Sequence, residues 1–306
     1  MLRIERILCP VDFSESSARV YDYAQSLARH YQAKLFLQHV VDIILPVYSY
    51  SPPIGYVDEI YLQVRADAQE ELQKFAKLHT VNGVQPECLV QDGDATYSIL
   101  SFAEAQRVDL IVMGTHGRKG FDRAALGSVA EKVLRKARCP VLVIREPGPE
   151  VVAPNGAPSP VELRRVVFCT DFSDTSPRAL DYALSVAAEY GAELTLLHVL
   201  EDVPGSADIE EAIATATRQL DKLIPPEAVK GGKIKTLVRI GRAYQQIIEL
   251  ALETQADLLV MAVRGRNALD LAVFGSTTYR VIQLGPCPVL AVHILKAQSA
   301  GSAGNA

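Results

Sequence analysis

The chain has 306 residues, which is enough for two domains that each bury a hydrophobic core. Hydrophobic residues make up 49% of it and charged residues 22%, as in soluble globular proteins, and the net charge of -5 argues against general nucleic-acid binding. No apolar run reaches the length of a membrane span, and the first residues lead into a strand, not a signal peptide. The five cysteines are scattered and form no C-x-x-C pair. We therefore expect a cytoplasmic protein with reduced cysteines that contacts neither membrane nor nucleic acid.

Short apolar segments alternate with amphipathic segments along the first half of the chain. The first strand ends in a carboxylate, and Ser14 or Ser17 is the candidate cap of the helix that follows. We predict strands at 6–12, 34–41, 85–91, 109–113 and 141–144, and further helices at 58–79, at 94–106 and from 127–128 onward. Alternation of this kind predicts a doubly wound parallel sheet with helices on both faces.

A glycine motif lies between the last two of these strands. Gly114, Gly117, Gly127 and Ser128 have the spacing G-x2-G-x9-G-S. Glycine lets backbone N–H groups approach a ligand and permits positive φ, and a helix N-terminus at Ser128 offers unpaired donors with a partial positive charge. The motif predicts a phosphate cradle. An ordinary strand-to-helix connection is the alternative that the glycine pattern alone leaves open.

Three positions fall at carboxyl ends of predicted strands: Asp12, the end of the second strand near Val40, and Gly114. Ligands of doubly wound sheets bind at these ends, where the strand order reverses, so the convergence favours a real site. Asp12, Ser128 and Ser276 have a simpler alternative as helix caps. His39 and His198 lie in apolar strands, which favours hydrogen-bonded core histidines over ligands or bases.

The second half of the chain repeats the sequence pattern of the first half. Residues 146–160 contain five prolines and two glycines, and beyond them RVVFCTDFS at 165–173 repeats RILCPVDFS at 6–14, and PCPVLAV at 286–292 repeats RCPVLVI at 138–144. We predict a first domain at 1–146, a linker at 147–160, a second domain at 161–296 and a disordered tail at 297–306. In the second copy Ala262 replaces Gly114, Arg264 replaces His116, and Cys169-Thr170 replaces Pro10-Val11.

The motifs P-x-D-F-S at 10–14, L-x-H-V at 37–40, G-x2-G-x9-G-S and the closing C-P-V-L-V-I resemble the universal stress protein family. The resemblance covers essentially the whole chain, as a tandem two-domain member. It implies a five-stranded parallel sheet of order 3-2-1-4-5 in each domain. It also implies that the last strands, Val141–Ile144 and Val289–Val292, pair with each other in an intramolecular pseudo-dimer.

In ATP-binding members of that family the strand-one aspartate holds the ribose, the residue after the strand-two histidine meets adenine through its backbone, and the glycine motif takes ribose and phosphates. The ligand implied is ATP, with or without Mg²⁺. The implied site residues of the first copy are Pro10, Asp12, Val40, Met113, Gly114, His116, Gly117, Gly127, Ser128, Val129 and Ala130. The second copy, which we expect to bind ATP more weakly or not at all, has the corresponding residues Asp171, Val199, Arg264, Gly265, Gly275, Ser276 and Thr277.

Three functions compete. The leading interpretation is a nucleotide-binding stress-response regulator with little or no turnover, with nucleotide mainly in the first copy. The second is a slow ATPase or a protein that uses ATP to modify itself, although the sequence has no Walker lysine, HExxH or nucleophile elbow. The third is a carrier or scaffold whose second copy holds an apolar ligand or a partner. A protein client and a homodimer of the tandem chain are left open, and no catalytic residue or metal site is assigned.

Overall fold

The computed structural model describes residues 3–42, 56–80, 83–115, 126–145, 160–201, 208–229, 233–263 and 275–293. The elements of the first copy are β1 Arg6–Pro10, α1 Glu15–Tyr31, β2 Lys34–Val41, α2 Tyr56–His79, β3 Glu87–Asp92, α3 Ala95–Ala105, β4 Leu110–Gly114, α4 Ser128–Lys136 and β5 Val141–Ile144. Those of the second copy are β6 Arg165–Thr170, α5 Ser176–Tyr190, β7 Glu193–Leu200, α6 Ile209–Leu223, α7 Pro226–Val229, β8 Ile234–Ile240, α8 Ala243–Glu253, β9 Leu258–Val263, α9 Ser276–Leu284 and β10 Val289–His293.

One sheet runs through both copies. Its strand order is β3-β2-β1-β4-β5-β10-β9-β6-β7-β8. Each copy therefore has the predicted order 3-2-1-4-5, and the second copy follows the first in reverse order across the sheet. Strands within each copy pair in parallel, whereas β5 and β10 pair antiparallel, with Leu142 opposite Leu290. The predicted fold and the predicted pairing of the last strands are therefore confirmed.

Side chains alternate between two apolar layers, one on each face of the sheet. Leu35 and Leu37 in β2 point to the layer that α1 and α2 cover, and Phe36 points to the layer that α3 and α4 cover. Each layer contains buried residues of both copies, so the two copies share their hydrophobic cores. Strands buried on both faces explain why the sequence shows continuous apolar runs instead of alternation.

The second copy also contacts the first outside the sheet. The backbone N–H of Val161 donates to Ser26 Oγ in α1 at 2.7 Å, and Val161 itself is buried. The ring of His30 stacks on Tyr190 with ring centroids 4.5 Å apart. Residues 146–159 and 294–306 lie outside the described part of the chain, so the predicted linker and tail stay predictions. None of the helices described is long and apolar enough to cross a membrane.

The first strand ends earlier than predicted. It stops at Pro10, not at Asp12, because the chain turns sharply there: Phe13 has a φ of 63° and Ser14 already caps α1. The other differences are shifts of one or two residues, with β3 beginning at Glu87, β4 at Leu110 and α2 at Tyr56.

Candidate functional site

A cavity of about 550 Å³ lies at the carboxyl ends of β1, β2 and β4 in the first copy. This is where the strand order reverses, since β2 and β4 flank β1 on opposite sides. Most of the predicted site residues line it: Pro10, Asp12, Val40, Met113, Gly114, Gly127, Ser128, Val129 and Ala130. His116 and Gly117 lie outside the described residues. A larger opening of about 850 Å³ lies at the amino ends of β7 and β8, between α5 and α7, and no predicted site residue lines it.

Asp12 is fixed in orientation by the first turn of α1. Its Oδ1 accepts hydrogen bonds from the Ser14 backbone N–H at 3.2 Å, from Ser14 Oγ at 2.6 Å and from Ser17 Oγ at 2.6 Å. The N-cap itself is Ser14, whose side chain accepts from the Ser17 N–H, so the alternative of Asp12 as the cap is wrong. The carboxylate is partly buried at the wall of the cavity, held by groups that also start the helix.

His39 supports the turn behind Asp12. Its Nδ1 donates to the Val11 carbonyl at 2.8 Å, and its ring stacks on Phe13 at a centroid distance of 4.2 Å. His198 makes the same bond to the Thr170 carbonyl at 2.9 Å and contacts Phe172 in the same way. Both histidines are hydrogen-bonded as predicted, but both are half-buried instead of lying in the core, and His39 lines the cavity.

The backbone of Val40 faces the cavity side of β2. The pairing of β2 with β1 ends at Gln38, whose carbonyl accepts from the Val11 N–H, and the carbonyl of Val41 accepts from Gly93 on the β3 side. Successive residues in a strand direct their backbone groups to opposite neighbours, so the N–H and C=O of Val40 point to the β1 side, beyond the last β1 pair. A donor and an acceptor are thus presented side by side at the cavity.

The N-terminus of α4 forms another wall. Gly127 is the N-cap and makes no side-chain cap bond, and the first helical bond runs from Glu131 N to Gly127 O at 2.9 Å. The N–H groups of Ser128, Val129 and Ala130 precede that bond and have no acceptor within the helix, which makes this end an anion site. Ser128 is the first helical residue. The alternative of Ser128 as a capping side chain is therefore wrong, and so is that of Ser276, because Gly275 is the N-cap of α9.

The glycines at these two N-caps do not need their conformational freedom. Gly127 has a φ of −60° and Gly275 a φ of −53°, so neither position uses the positive φ that glycine permits. A Cβ added to Gly275 would meet only Thr278 Oγ1, at an ordinary 3.8 Å. What glycine contributes at such a position is open space in front of the helix N–H groups.

Several cavity residues were not singled out in the sequence. Val20, Ile99 and Ala95 add apolar wall, and Gln38 adds a buried side-chain amide. Gln38 could have been noticed in the sequence, because it is a polar residue that directly follows the apolar run 35–37 in β2. Its partners come from β3 and α3, which local sequence does not show.

The serine hydroxyl contact of the aspartate is longer in the second copy. The Ser176 hydroxyl, which accepts from Thr170 Oγ1 at 2.9 Å, lies 3.4 Å from Asp171 Oδ1, whereas the Ser17 hydroxyl lies 2.6 Å from Asp12 Oδ1. The backbone N–H of Ser173 donates to Asp171 at 3.0 Å, as that of Ser14 does to Asp12. Asp171 is also exposed, whereas Asp12 is partly buried. Val199, Gly275, Ser276 and Thr277 occupy strand and helix ends equivalent to those of the first copy, and Arg264 and Gly265 lie outside the described residues.

Fold and site together define a tandem, doubly wound α/β protein. Its first copy has a cavity with polar groups on its walls at the point where the strand order reverses. The universal stress protein family model matches residues 3–145 and 162–293. The chain belongs to the universal stress protein family, as a tandem two-domain member.

Relatives of one and of two domains are similar to this chain. A universal stress protein of Methanocaldococcus jannaschii is 35% identical over 151 residues, which cover 48% of this chain and 85% of that protein. One of Mycolicibacterium smegmatis is 26% identical over 293 residues, which cover 94% and 96% of the two chains. The crystal structure of a universal stress protein from Archaeoglobus fulgidus superposes with a TM-score of 0.65 at 25% identity, and covers 95% of this chain and 97% of that one.

Proposed function

We propose that the first copy binds an adenine nucleotide, ATP in the first instance, and that the protein is a stress-response regulator with little or no turnover. One observation carries the proposal. A single cavity brings together the fixed carboxylate of Asp12, the donor–acceptor edge of Val40 and the N-terminus of α4. These are the groups that a ribose, a base edge and a phosphate chain require.

The three parts of a nucleotide fit in that order. Adenine offers an acceptor nitrogen beside an amine, which complements the N–H and C=O of Val40. The ribose hydroxyls donate to Asp12, whose other bonds hold it still. The phosphates accept from the N–H groups that begin α4 and are favoured by its partial positive charge. The cavity volume of about 550 Å³ lies within the usual range for small-molecule sites, and Pro10, Ile99 and Met113 supply its apolar surface.

The described residues bind and orient more readily than they react. Asp12 is already the acceptor of two serine hydroxyls, which suits a positioning role better than that of a general base. Burial raises the pKa of the Cys139 and Cys287 thiols to about 12, so both stay protonated and neither is an activated nucleophile. These features favour nucleotide binding as the function and turnover as a minor property.

The test uses the purified full-length protein. Mass analysis after denaturation should find an adenine nucleotide, and calorimetric titration of nucleotide-free protein with ATP should give one tight site per chain. A turnover assay with and without Mg²⁺ should give slow hydrolysis or none. The proposal fails if ATP does not bind, and rapid Mg²⁺-dependent hydrolysis would make the protein an enzyme. A co-purifying apolar molecule in place of nucleotide would favour the carrier interpretation.

A further inference from the structure

Gln38 is a buried amide in a strand that otherwise builds the core. Its side chain has 0% exposure, lies on the same face of β2 as Phe36, and lines the nucleotide cavity. The equivalent residue of the second copy, Leu197, is also fully buried and is apolar. A buried polar group that leaves hydrogen-bonding capacity unused destabilises a fold. We therefore expect every polar atom of the Gln38 amide to have a hydrogen-bond partner, from the protein or from a ligand.

The hydrogen bonds of Gln38 fix which way its amide faces. Nε2 donates to Gln91 Oε1 at 2.6 Å and to the Ser98 carbonyl at 3.3 Å. A backbone carbonyl can only accept, so the nitrogen must lie on that side and the oxygen on the other. Within the described residues Oε1 is buried without a hydrogen-bond partner. A residue that lines the cavity therefore carries, just beneath its surface, a hydrogen-bond acceptor that the protein itself does not satisfy.

The position of this acceptor matches the base end of the cavity. Gln38 precedes Val40 by two residues, so the two side chains lie on the same face of β2, and Gln38 is paired with Pro10 at the end of β1. An exocyclic amine has two N–H bonds, of which one can reach the Val40 carbonyl and the other Gln38. A base with an oxygen at that place would set two acceptors against each other.

We infer that Gln38 is the residue that selects adenine in the first copy, with Oε1 accepting an N–H from the 6-amino group and disfavouring 6-oxo purines. This inference rests on the proposed nucleotide function. It assigns base selectivity to a side chain that the second copy lacks, because Leu197 offers no acceptor.

The test compares ATP with inosine triphosphate, in which an oxygen replaces the amine, by calorimetric titration of the full-length protein. The parent should prefer ATP by tenfold or more. Gln38→Leu, which introduces the residue type found in the second copy, should weaken ATP binding about tenfold and leave the inosine nucleotide unchanged or better bound. The preference for ATP should therefore fall about tenfold, to what the Val40 carbonyl alone provides. Gln38→Met, closer in shape, gives the same comparison if the leucine variant does not fold.

Gln25→Leu is the matched control. Gln25 is likewise buried, at 3% exposure, but bonds the His79 carbonyl from α1 and does not line the cavity. It should leave the preference unchanged. If the parent binds no ATP, the proposed function fails and the inference with it. If the parent binds ATP but does not distinguish the two nucleotides, or if the folded Gln38 variant keeps the parental ratio within twofold, the inference alone is overturned.

Discussion

Asp12→Asn is the sharpest test of the proposed ribose contact. Asparagine keeps an oxygen where Oδ1 accepts from the Ser14 N–H, Ser14 Oγ and Ser17 Oγ, so the start of α1 should survive. The change removes the charge and turns the second carboxylate oxygen into a donor. A hydrogen bond to a charged group contributes about 1.5–3 kcal/mol, so the dissociation constant for ATP should rise roughly ten- to 150-fold.

Asp171→Asn is the equivalent change in the second copy and serves as its control. We expect it to alter ATP affinity less than about twofold, because the proposed tight site lies in the first copy and Asp171 is exposed. Both variants are titrated with ATP as full-length proteins, and thermal melting checks that each is folded. A folded Asp12→Asn protein that binds ATP within about threefold of the parent would refute the ribose role. Equal losses in the two variants would refute the asymmetry.

Three further changes test other parts of the structure. Gly127→Val should weaken ATP binding about tenfold or more, because the added side chain would occupy the space proposed for the phosphates. Thermal stability should change little, because a φ of −60° suits any residue. Gly275→Val is the control, and unchanged ATP affinity in Gly127→Val would place the phosphates elsewhere. Leu290→Ala, opposite Leu142 in the β5–β10 pair, should lower the free energy of unfolding in urea by about 2–5 kcal/mol, and a loss below about 1 kcal/mol would contradict a shared core. Burial raises the pKa of Asp22 to about 6, so the native state binds more protons than the unfolded state between about pH 4 and 6, and stability falls as pH rises through that window. Asp22→Asn should therefore raise the free energy of unfolding at pH 8 by about 1 kcal/mol, since the group is half-exposed, and raise the melting temperature with it. At pH 4 the substitution should have little effect. The reverse pattern would contradict the burial argument.

The fold could be predicted well from the sequence because the same pattern of strands and helices occurs in both copies. Each copy contains the same order of apolar runs and breakers, and β2 was predicted at its observed bounds, Lys34–Val41. The end of β1 was missed because it depends on one residue in an unusual conformation. Phe13 adopts a φ of 63°, which non-glycine residues rarely do, and the stacking on His39 that accompanies it is a long-range contact.

The candidate site was predictable in its residues and less so in its geometry. Motif positions converge on the cavity, but the direction of the Val40 backbone follows from where pairing with β1 stops, which the sequence does not state. The start of α4 at 127–128 was predicted, but the alternative of Ser128 as a capping side chain could be excluded only with the structure, since a serine at a helix start often caps. The unsatisfied oxygen of Gln38 depends on β3 and α3 being brought beside β2, and so needs the assembled fold.

The joining of two copies in one chain explains how the second site can change without loss of the fold. Arg145 and His293 hold equivalent positions after β5 and at the end of β10, and each reaches a carbonyl near the C-terminus of the other copy's last helix, Gly285 O and Leu134 O. Helix C-termini favour such donors, yet the residues differ: Arg145 is charged and partly exposed, whereas burial lowers the pKa of His293 and keeps it neutral. In a dimer of identical chains a single residue would have to serve both places. The β5–β10 pair that unites the sheet also lies away from the strand ends that carry Asp12 and Asp171. Substitutions such as Thr170 for Val11 can therefore loosen the second aspartate while both hydrophobic layers stay continuous, which is the physical basis for expecting one tight nucleotide site per chain.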